Sequence, residues 1–390
     1  MTDVATDFLT ARRAAALDAL GAIEMPTFRG TPGWEFTPID KLDLDAYPAA
    51  PGGEADAIPA VPEGVVVLPL AEAAERHPDL VEPHLGSLVA PDSPFSARNE
   101  AHWTDGTFVF VPRNVRVEGR IDLRSIHAQA GTALHWRTLV VLEEGADATI
   151  VEEMASAAPD ADGLVNGVVE LVVGQNAHLT YVGIQDLNEQ TWVFGNERAT
   201  VARDGVLDWV TLGFGGKNGK IFLETTLAEP GSQARVTGGY ATRGRQHLDF
   251  DTRQEHAAPD TVSDLAFRGI LGDRSSAVWR GMIKVDPGAQ RIDAFQECRN
   301  LLVSKKAHAD AIPGLEILAN DVRCTHAAAI AQIDADQLFY LRSRGLPEPI
   351  AKRLVIEGFL GALLERFEEG ELRDALADAL DRRLETVLGA

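Results

Sequence analysis

Cysteine is scarce in this sequence: only Cys298 and Cys324 occur in 390 residues. Two cysteines cannot build a disulfide framework, and neither belongs to a CxxC pair. A self-contained zinc or iron–sulfur site is therefore not expected, and a reducing compartment suits the chain better than an oxidising one. Long hydrophobic runs are also missing. No stretch approaches 18 uninterrupted apolar residues, and the N-terminus lacks a basic segment followed by an apolar one. The expectation is a soluble, unexported, cytoplasmic protein with no membrane contact. Positive charge is the third shortage: 36 Lys+Arg stand against 59 Asp+Glu, a formal −23, with no run of four basic residues. Phosphate backbones repel such a chain, so nucleic acid is not an expected partner.

What is present is ordinary for a folded protein, with 45% hydrophobic and 24% charged residues. The acid is unevenly spread. Residues 1–100 hold 6 Lys+Arg and 17 Asp+Glu, whereas residues 240–308 hold 11 and 9. Residues 3–20 place Phe8, Leu9, Ala16, Leu17 and Leu20 at helical spacing. A run rich in Pro, Gly and Ala from Tyr47 to Gly64 reads as a loop or linker. Residues 65–70 read as a strand, and 71–90 as helix broken at Pro78 and Pro83. We treat residues 1–100 as a mixed N-terminal cap.

From 101 to 333 the texture changes to short β-branched runs, for example 108–111, 139–142, 168–173, 179–184, 206–212 and 221–227. Similar turns precede many of them, carrying Gly145, Gly174, Gly231, Gly272 and Gly288. Gly145 and Gly174 stand one interval apart and Gly174 and Gly231 nearly two, which points to a degenerate period of about 28 positions. Such a period marks a β-solenoid, whose coils bury their apolar faces only by stacking. A β-sandwich with similar hairpin turns is the alternative. After Asp334 the pattern turns helical, over 334–343, 349–367 and 371–388. These form a C-terminal helical module (334–390), and solenoid ends need capping.

Three constellations bear on chemistry. Gly213-Phe-Gly-Gly-Lys-Asn-Gly-Lys220 superficially resembles a phosphate loop, but Phe214 stands where the first Gly belongs and Ile221 where Ser or Thr belongs. No nucleotide is expected on this chain. His247, Asp249, Asp251, Arg253 and Glu255 alternate with other residues, so a strand projects all five onto one face. That is either a solvated polar face or, in a carbohydrate lyase or hydrolase, a carboxylate site using Asp249 and Asp251. Cys324-Thr-His326 puts a thiol and an imidazole on one face of a strand, about 6–7 Å apart at Cα. Both suit iron or zinc, yet they leave a four-coordinate site half built. Cys298 precedes Cys324 by close to one period, so it lies about one coil away and is able to approach it. The bland alternative is a buried cysteine beside a surface histidine.

Several linked blocks then carry a resemblance. Thr261-Val-Ser-Asp-Leu-Ala-Phe-Arg-Gly-Ile-Leu271, Gly281-Met-Ile-Lys-Val-Asp-Pro-Gly-Ala-Gln290, Arg299-Asn-Leu-Leu302, Leu315-Glu-Ile-Leu-Ala-Asn-Asp-Val-Arg-Cys-Thr-His326 and Asp336-Gln-Leu-Phe-Tyr-Leu-Arg-Ser-Arg-Gly345 occur in this order. Together they resemble the SufB/SufD family of iron–sulfur cluster assembly scaffolds, as does the segment Pro32-Gly-Trp-Glu-Phe-Thr-Pro38. Length and the Cys-Thr-His signature are more similar to the SufD branch. Cys298 departs from that, because it stands where SufB proteins carry an assembly cysteine.

The resemblance implies a right-handed parallel β-helix between an N-terminal helical region and a C-terminal helical domain. It implies pairing with a SufB paralogue through the β-helices, and binding of the ATPase SufC through the C-terminal helices. Leu338, Phe339, Tyr340, Leu341, Arg342, Arg344 and Gly345 would meet that ATPase. A transient iron–sulfur cluster would form at the interface with SufB, with His326, Cys324 and Cys298 as candidate ligands in that order. The chain itself would be a non-enzymatic scaffold subunit, and a homodimer of the isolated chain is compatible with this reading.

Overall fold

The computed structural model describes residues 3–50, 54–55 and 61–388. Residues 51–53 and 56–60, inside the run read as a loop or linker, lie outside them. Between Asp105 and Gln332 the chain repeats one unit: strand, turn, strand, turn. Successive strands alternate between two sheets, eight in each: the first from Arg116–His127 to Val322–Gln332, the second from Asp105–Val111 to His308–Ile317. A short antiparallel edge strand, Glu54–Ala55 on the first and Val66–Pro69 on the second, makes each sheet nine-stranded. Coil-to-coil pairing is parallel throughout, giving a β-solenoid of about eight turns. Coil length is not constant: the coil that pairs Trp192 with Asn218 is several positions shorter than the one that pairs Ser276 with His308. A sandwich is excluded, because its sheets are antiparallel.

The turns explain the period. At the corner leading from the second sheet to the first, successive coils place Asn114, Gly145, Asn176, Asp204, Gly231 and Asp260 in the left-handed region at one equivalent position, and the turn before Ile292 has both Gly288 and Arg291 there. Glycine adopts that conformation freely, and Asn and Asp tolerate it through local hydrogen bonds. Gly272 belongs to the opposite corner, half a coil out of step.

Inward-facing side chains fill the lumen. Tyr181, Trp209, Tyr240, Phe250, Phe267 and Trp279 are at most 2% exposed. Large rings stand over glycines of neighbouring strands. A Cβ on Gly238 would lie 2.2 Å from the Phe267 ring, and one on Gly269 would lie 2.2 Å from Tyr240.

The two outer faces are coated differently. Helices Glu348–Leu364 and Glu371–Leu388 lie across the first sheet, where Ile356, Leu360, Leu376, Leu380 and Leu384 pack on Val182, Val210, Leu212, Ala241, Ile270 and Leu301. Arg383 is buried there, donating to the Ala241 carbonyl and the Gln246 amide oxygen at 2.9 and 2.8 Å. On the second sheet, helices Leu70–Arg76 and Pro78–Val81 cover the first coils, burying Leu70, Ala73 and Val81 on Phe108, Phe110 and Leu139. No helix among the described residues is long and apolar enough to cross a membrane.

The cap expected at the far end is absent among the described residues: the C-terminal helices lie alongside the solenoid. Strands His308–Ile317 and Val322–Gln332 are the last in their sheets, and Leu315, Ile317, Leu318 and Ile330 are 37–53% exposed.

The lumen also holds two carboxyl groups beside a cavity of roughly 70 Å³. Glu152 accepts from Trp136 Nε1 at 2.9 Å, Thr138 Oγ1 at 2.7 Å and the Tyr181 hydroxyl. Glu197 has no such donors among the described residues, and burial, then the Glu152 charge, pushes its carboxyl up to about 8. An unfolded glutamate titrates near about 4.3, so the folded state holds the proton more tightly. The associated stability is complete below that value and is lost as pH rises to about 8. Glu197→Gln, neutral throughout, should match wild type near pH 4 and exceed it by a few kcal/mol at pH 8.5. Urea unfolding at both pH values measures this, and an equal difference at both would refute the assignment.

Candidate functional site

The last strand of the first sheet, Val322–Gln332, carries Cys324 and His326. Cys324 faces inward, packed with Ile283, Val285, Ile292 and Ala294. It is half-buried, and burial, then the Asp293 charge, raises its thiol above the usual range. His326, two residues on, shares that face and stands opposite Gln296 in the ladder. It is exposed because no further coil among the described residues covers it. Gln296 is a contributor that the motif search missed. Its amide donates to the Gly314 carbonyl at 3.0 Å, while its own oxygen is buried without a partner.

Cys298 is one coil back, as expected, but it does not meet Cys324. The register pairs Cys298 with Ala328 and Cys324 with Ala294. Four places of offset separate the two cysteines by roughly 13 Å along the strands. Cys298 is fully buried, with the Tyr240 hydroxyl 3.9 Å and the Asn300 amide nitrogen 3.5 Å from its sulfur. Burial pushes its thiol up to about 12. The open pair is therefore Cys324 and His326. Among the described residues, no group of three or more His, Cys, Asp or Glu is arranged to hold a metal.

The helix Ala335–Ser343 begins three residues after the strand that carries Cys324 and His326, with Asp334 capping its N-terminus. None of its residues is buried. Phe339 and Tyr340 are 73% and 56% exposed, and Ile350 and Leu354 on the next helix are 49% and 44%. Gly345, at φ +93°, turns the chain back, and Arg342 pairs with Glu348 at 3.6 Å. Phe339, Arg342, Gly345, Leu346 and Pro347 line an open cleft of roughly 600 Å³. Arg344 stacks over the Tyr340 ring, while Leu338 and Leu341 complete the helix.

The alternating row 247–255 does project onto the outer face of the second sheet, but that face is covered around His247 and Asp249 and only partly solvated at Asp251, Arg253 and Glu255. Trp34 lies across it, stacked on Phe95 at 5.1 Å and edge-on to Phe222 at 5.9 Å. Beneath it the ammonium of Lys220, 1% exposed, lies 2.8 Å from Asp249 and 3.6 Å from Asp251. Thr37 donates to the same Asp249 oxygen, and Glu35 pairs with Arg280. His247 Nδ1 sits 2.7 Å from the Ser276 hydroxyl, and Arg253 pairs with Glu255. With Asp249 only 2% exposed, the accessible carboxylate groove that a glycan enzyme needs does not exist here. The Gly-rich segment resolves similarly: a strand, Asn218–Leu227, follows it rather than a helix, and its lysines are bound to Asp162 and Asp249.

The comparisons with known proteins agree with this architecture. A model of the SUF system FeS cluster assembly SufBD core domain matches residues 125–359, and one of the SufBD N-terminal region matches residues 53–123. The chain belongs to the SufBD family. It is 31% identical to the iron–sulfur cluster assembly protein SufD of Bacillus subtilis over 326 residues, covering 83% of this chain and 74% of that protein. A SufBD family protein of Mycobacterium tuberculosis is 30% identical over 361 residues, 90% and 88% of the two chains. One from Mycobacterium leprae is 28% identical over 398 residues, 98% and 97%. This chain is thus a SufD-like iron–sulfur cluster assembly protein.

Two measurements test the site's geometry. Native protein at pH 8 should react with a disulfide reagent at one thiol per chain, Cys324, and at two after unfolding; two reactive native thiols would contradict the sealed lumen. Asp249→Ala leaves the buried Lys220 ammonium only its longer contact with Asp251, 3.6 Å, and should cost about 3 kcal/mol of stability, whereas an effect under about 1 kcal/mol would mean that Asp251 or water takes over the ammonium.

Proposed function

We propose that this chain is the SufD-type subunit of a SufBCD scaffold, carrying Cys324 and His326 as its share of the ligands for a nascent iron–sulfur cluster. One observation carries the reading: a thiol and an imidazole share the inward face of a terminal coil that none of the described residues covers. Two ligands hold a cluster only when a second surface brings the rest. A SufB paralogue docking against this end, coil on coil, supplies both the missing strand partners and the missing ligands. His326 ranks first, being exposed and without a hydrogen-bond partner among the described residues; Cys324 is second. Cys298 ranks third, since its sealed, protonated thiol behaves as a small core residue.

The exposed helix Ala335–Ser343 and the cleft behind it are the surface offered to the ATPase SufC. Leu338, Phe339, Tyr340, Leu341, Arg342, Arg344 and Gly345 form or flank it. Hydrolysis then belongs to the partner, and this chain is a cytoplasmic, non-catalytic scaffold whose cluster is cargo.

Reconstitution of the three-component complex tests the assignment. His326→Ala should leave assembly of the complex intact by gel filtration while slowing cluster formation, followed by visible absorbance, at least about tenfold. Cluster formation at the wild-type rate in an intact complex would remove His326 from the ligand set. Loss of the complex itself would instead make it an interface residue.

A further inference from the structure

Along the corner that leads from the first sheet to the second, the turns change character toward the open end. Upstream they carry Asp162 and Glu189, and the cations nearby are matched to them: Lys217 lies 2.6 Å from Asp162, and Arg243 pairs with Glu189. The last three turns, at 243–246, 272–275 and 303–306, stack on one another. The Arg274 amide donates to the Gly244 carbonyl at 3.0 Å, and the His308 amide, just past the third turn, donates to the Ser275 carbonyl at 3.1 Å.

These turns present Arg245, Arg274, Lys305 and Lys306, all exposed, around one open cleft of roughly 520 Å³ that also includes Ser304. None of the four has a carboxylate within ion-pair distance among the described residues. Asp273, the one acidic residue of the cleft, is engaged locally, accepting the Gly244 amide at 2.9 Å. Four cations against the single Asp273 carboxylate leave the cleft with a net excess of positive charge, and none of the four is ion-paired among the described residues. In a chain of −23 the general field repels anions, so attraction here is local.

Shape narrows the ligand. No aromatic or apolar side chain lines the cleft, so only the charged group is recognised. Three stacked turns span about 10 Å, which suits a compact anion better than an extended polyanion. Arginine forks match oxyanions bidentately and lysines add mobile charge.

We propose that this cleft binds a compact phosphate-type oxyanion of two or more charges, either free or as the terminal group of a larger molecule projecting into solvent. The site is separate from the cluster ligands and does not rest on their assignment.

Titration calorimetry of the full chain with sodium pyrophosphate, and separately with ADP, tests it. Saturable binding of pyrophosphate is expected, weakened at least about tenfold in Arg274→Ala/Lys306→Ala. It should be unchanged in Lys41→Ala/Arg124→Ala, which removes two cations elsewhere. Equal affinity for ADP identifies recognition of a terminal group, and pyrophosphate alone identifies a free anion. No saturable binding, equal weakening in both double variants, or tighter binding of a hexaglutamate peptide at the same residues would each overturn the proposal.

Discussion

The structure depends on one constraint: in a parallel solenoid, every coil is finished by the next. Backbone amides and carbonyls pair with the coil on either side, and inward rings such as Phe267 and Tyr240 fit only because an adjoining strand leaves a glycine beneath them. Stability therefore propagates along the axis and fails at the ends. The two ends are handled differently. At the start, the antiparallel strands Glu54–Ala55 and Val66–Pro69 border the outermost coils, and short helices cover the outer face beside them. At the other end none of the described residues forms a cover, although two long helices, Glu348–Leu364 and Glu371–Leu388, are close at hand. Those helices lie on the outer face of the first sheet instead. An unfinished coil exposing Leu315, Ile317 and Ile330 is the feature on which the proposed pairing with a second chain rests.

The coat on the second sheet shows how far the N-terminal segment is integrated. Pro32-Gly-Trp-Glu-Phe-Thr-Pro38 is a strap: Trp34 inserts among Phe95, Phe194 and Phe222, Glu35 reaches Arg280, and the Pro38 carbonyl accepts from Asn218. Aromatic contacts of this kind contribute about 0.5–1.5 kcal/mol each beyond area burial. The Lys220–Asp249 pair beneath them is a different matter. Burying both charges gains little net energy, but it makes the cover obligatory, since exposing one partner without the other is costly. The strap and the pair thus hold each other in place although they are far apart along the chain.

Much of this was legible in the sequence, and the parts that were not have physical reasons. Strand texture and turn spacing pointed to a solenoid because backbone pairing imposes a near-constant coil. Counting glycines alone blurred the period, since Asn114, Asn176, Asp204 and Asp260 occupy the same left-handed corner position and Gly272 sits on the other corner. The alternation that puts 247–255 on one face was correct, yet nothing local shows that Trp34 covers it; a strap is a tertiary fact. The cysteines show the same limit. Their spacing places Cys298 one coil from Cys324, but coils differ in length, so register decides whether the two side chains meet. Here it sets them four places apart. The absence of an end cap was also invisible, because amphipathic helices announce that they pack and not where.

The two proposed surfaces of the scaffold are mechanically adjacent, and this bears on how a cluster is released. Strand Val322–Gln332 carries Cys324 and His326, and after only Ile333 and Asp334 the chain enters the exposed helix proposed to meet the ATPase. Ile333 packs with the apolar cluster that joins the C-terminal helices to Leu301 on the neighbouring strand and Val303 just past its end. A displacement of that helix is thereby delivered to the last, uncovered coil, the part of the solenoid with fewest partners resisting it. A ligand set divided between two chains, as proposed, would respond steeply to such a movement. Separating the surfaces removes several ligands in one step, whereas a closed cage within one chain would have to lose them singly. Scarcity of cysteine, which first argued against a metal site here, is on this view what keeps the site reversible.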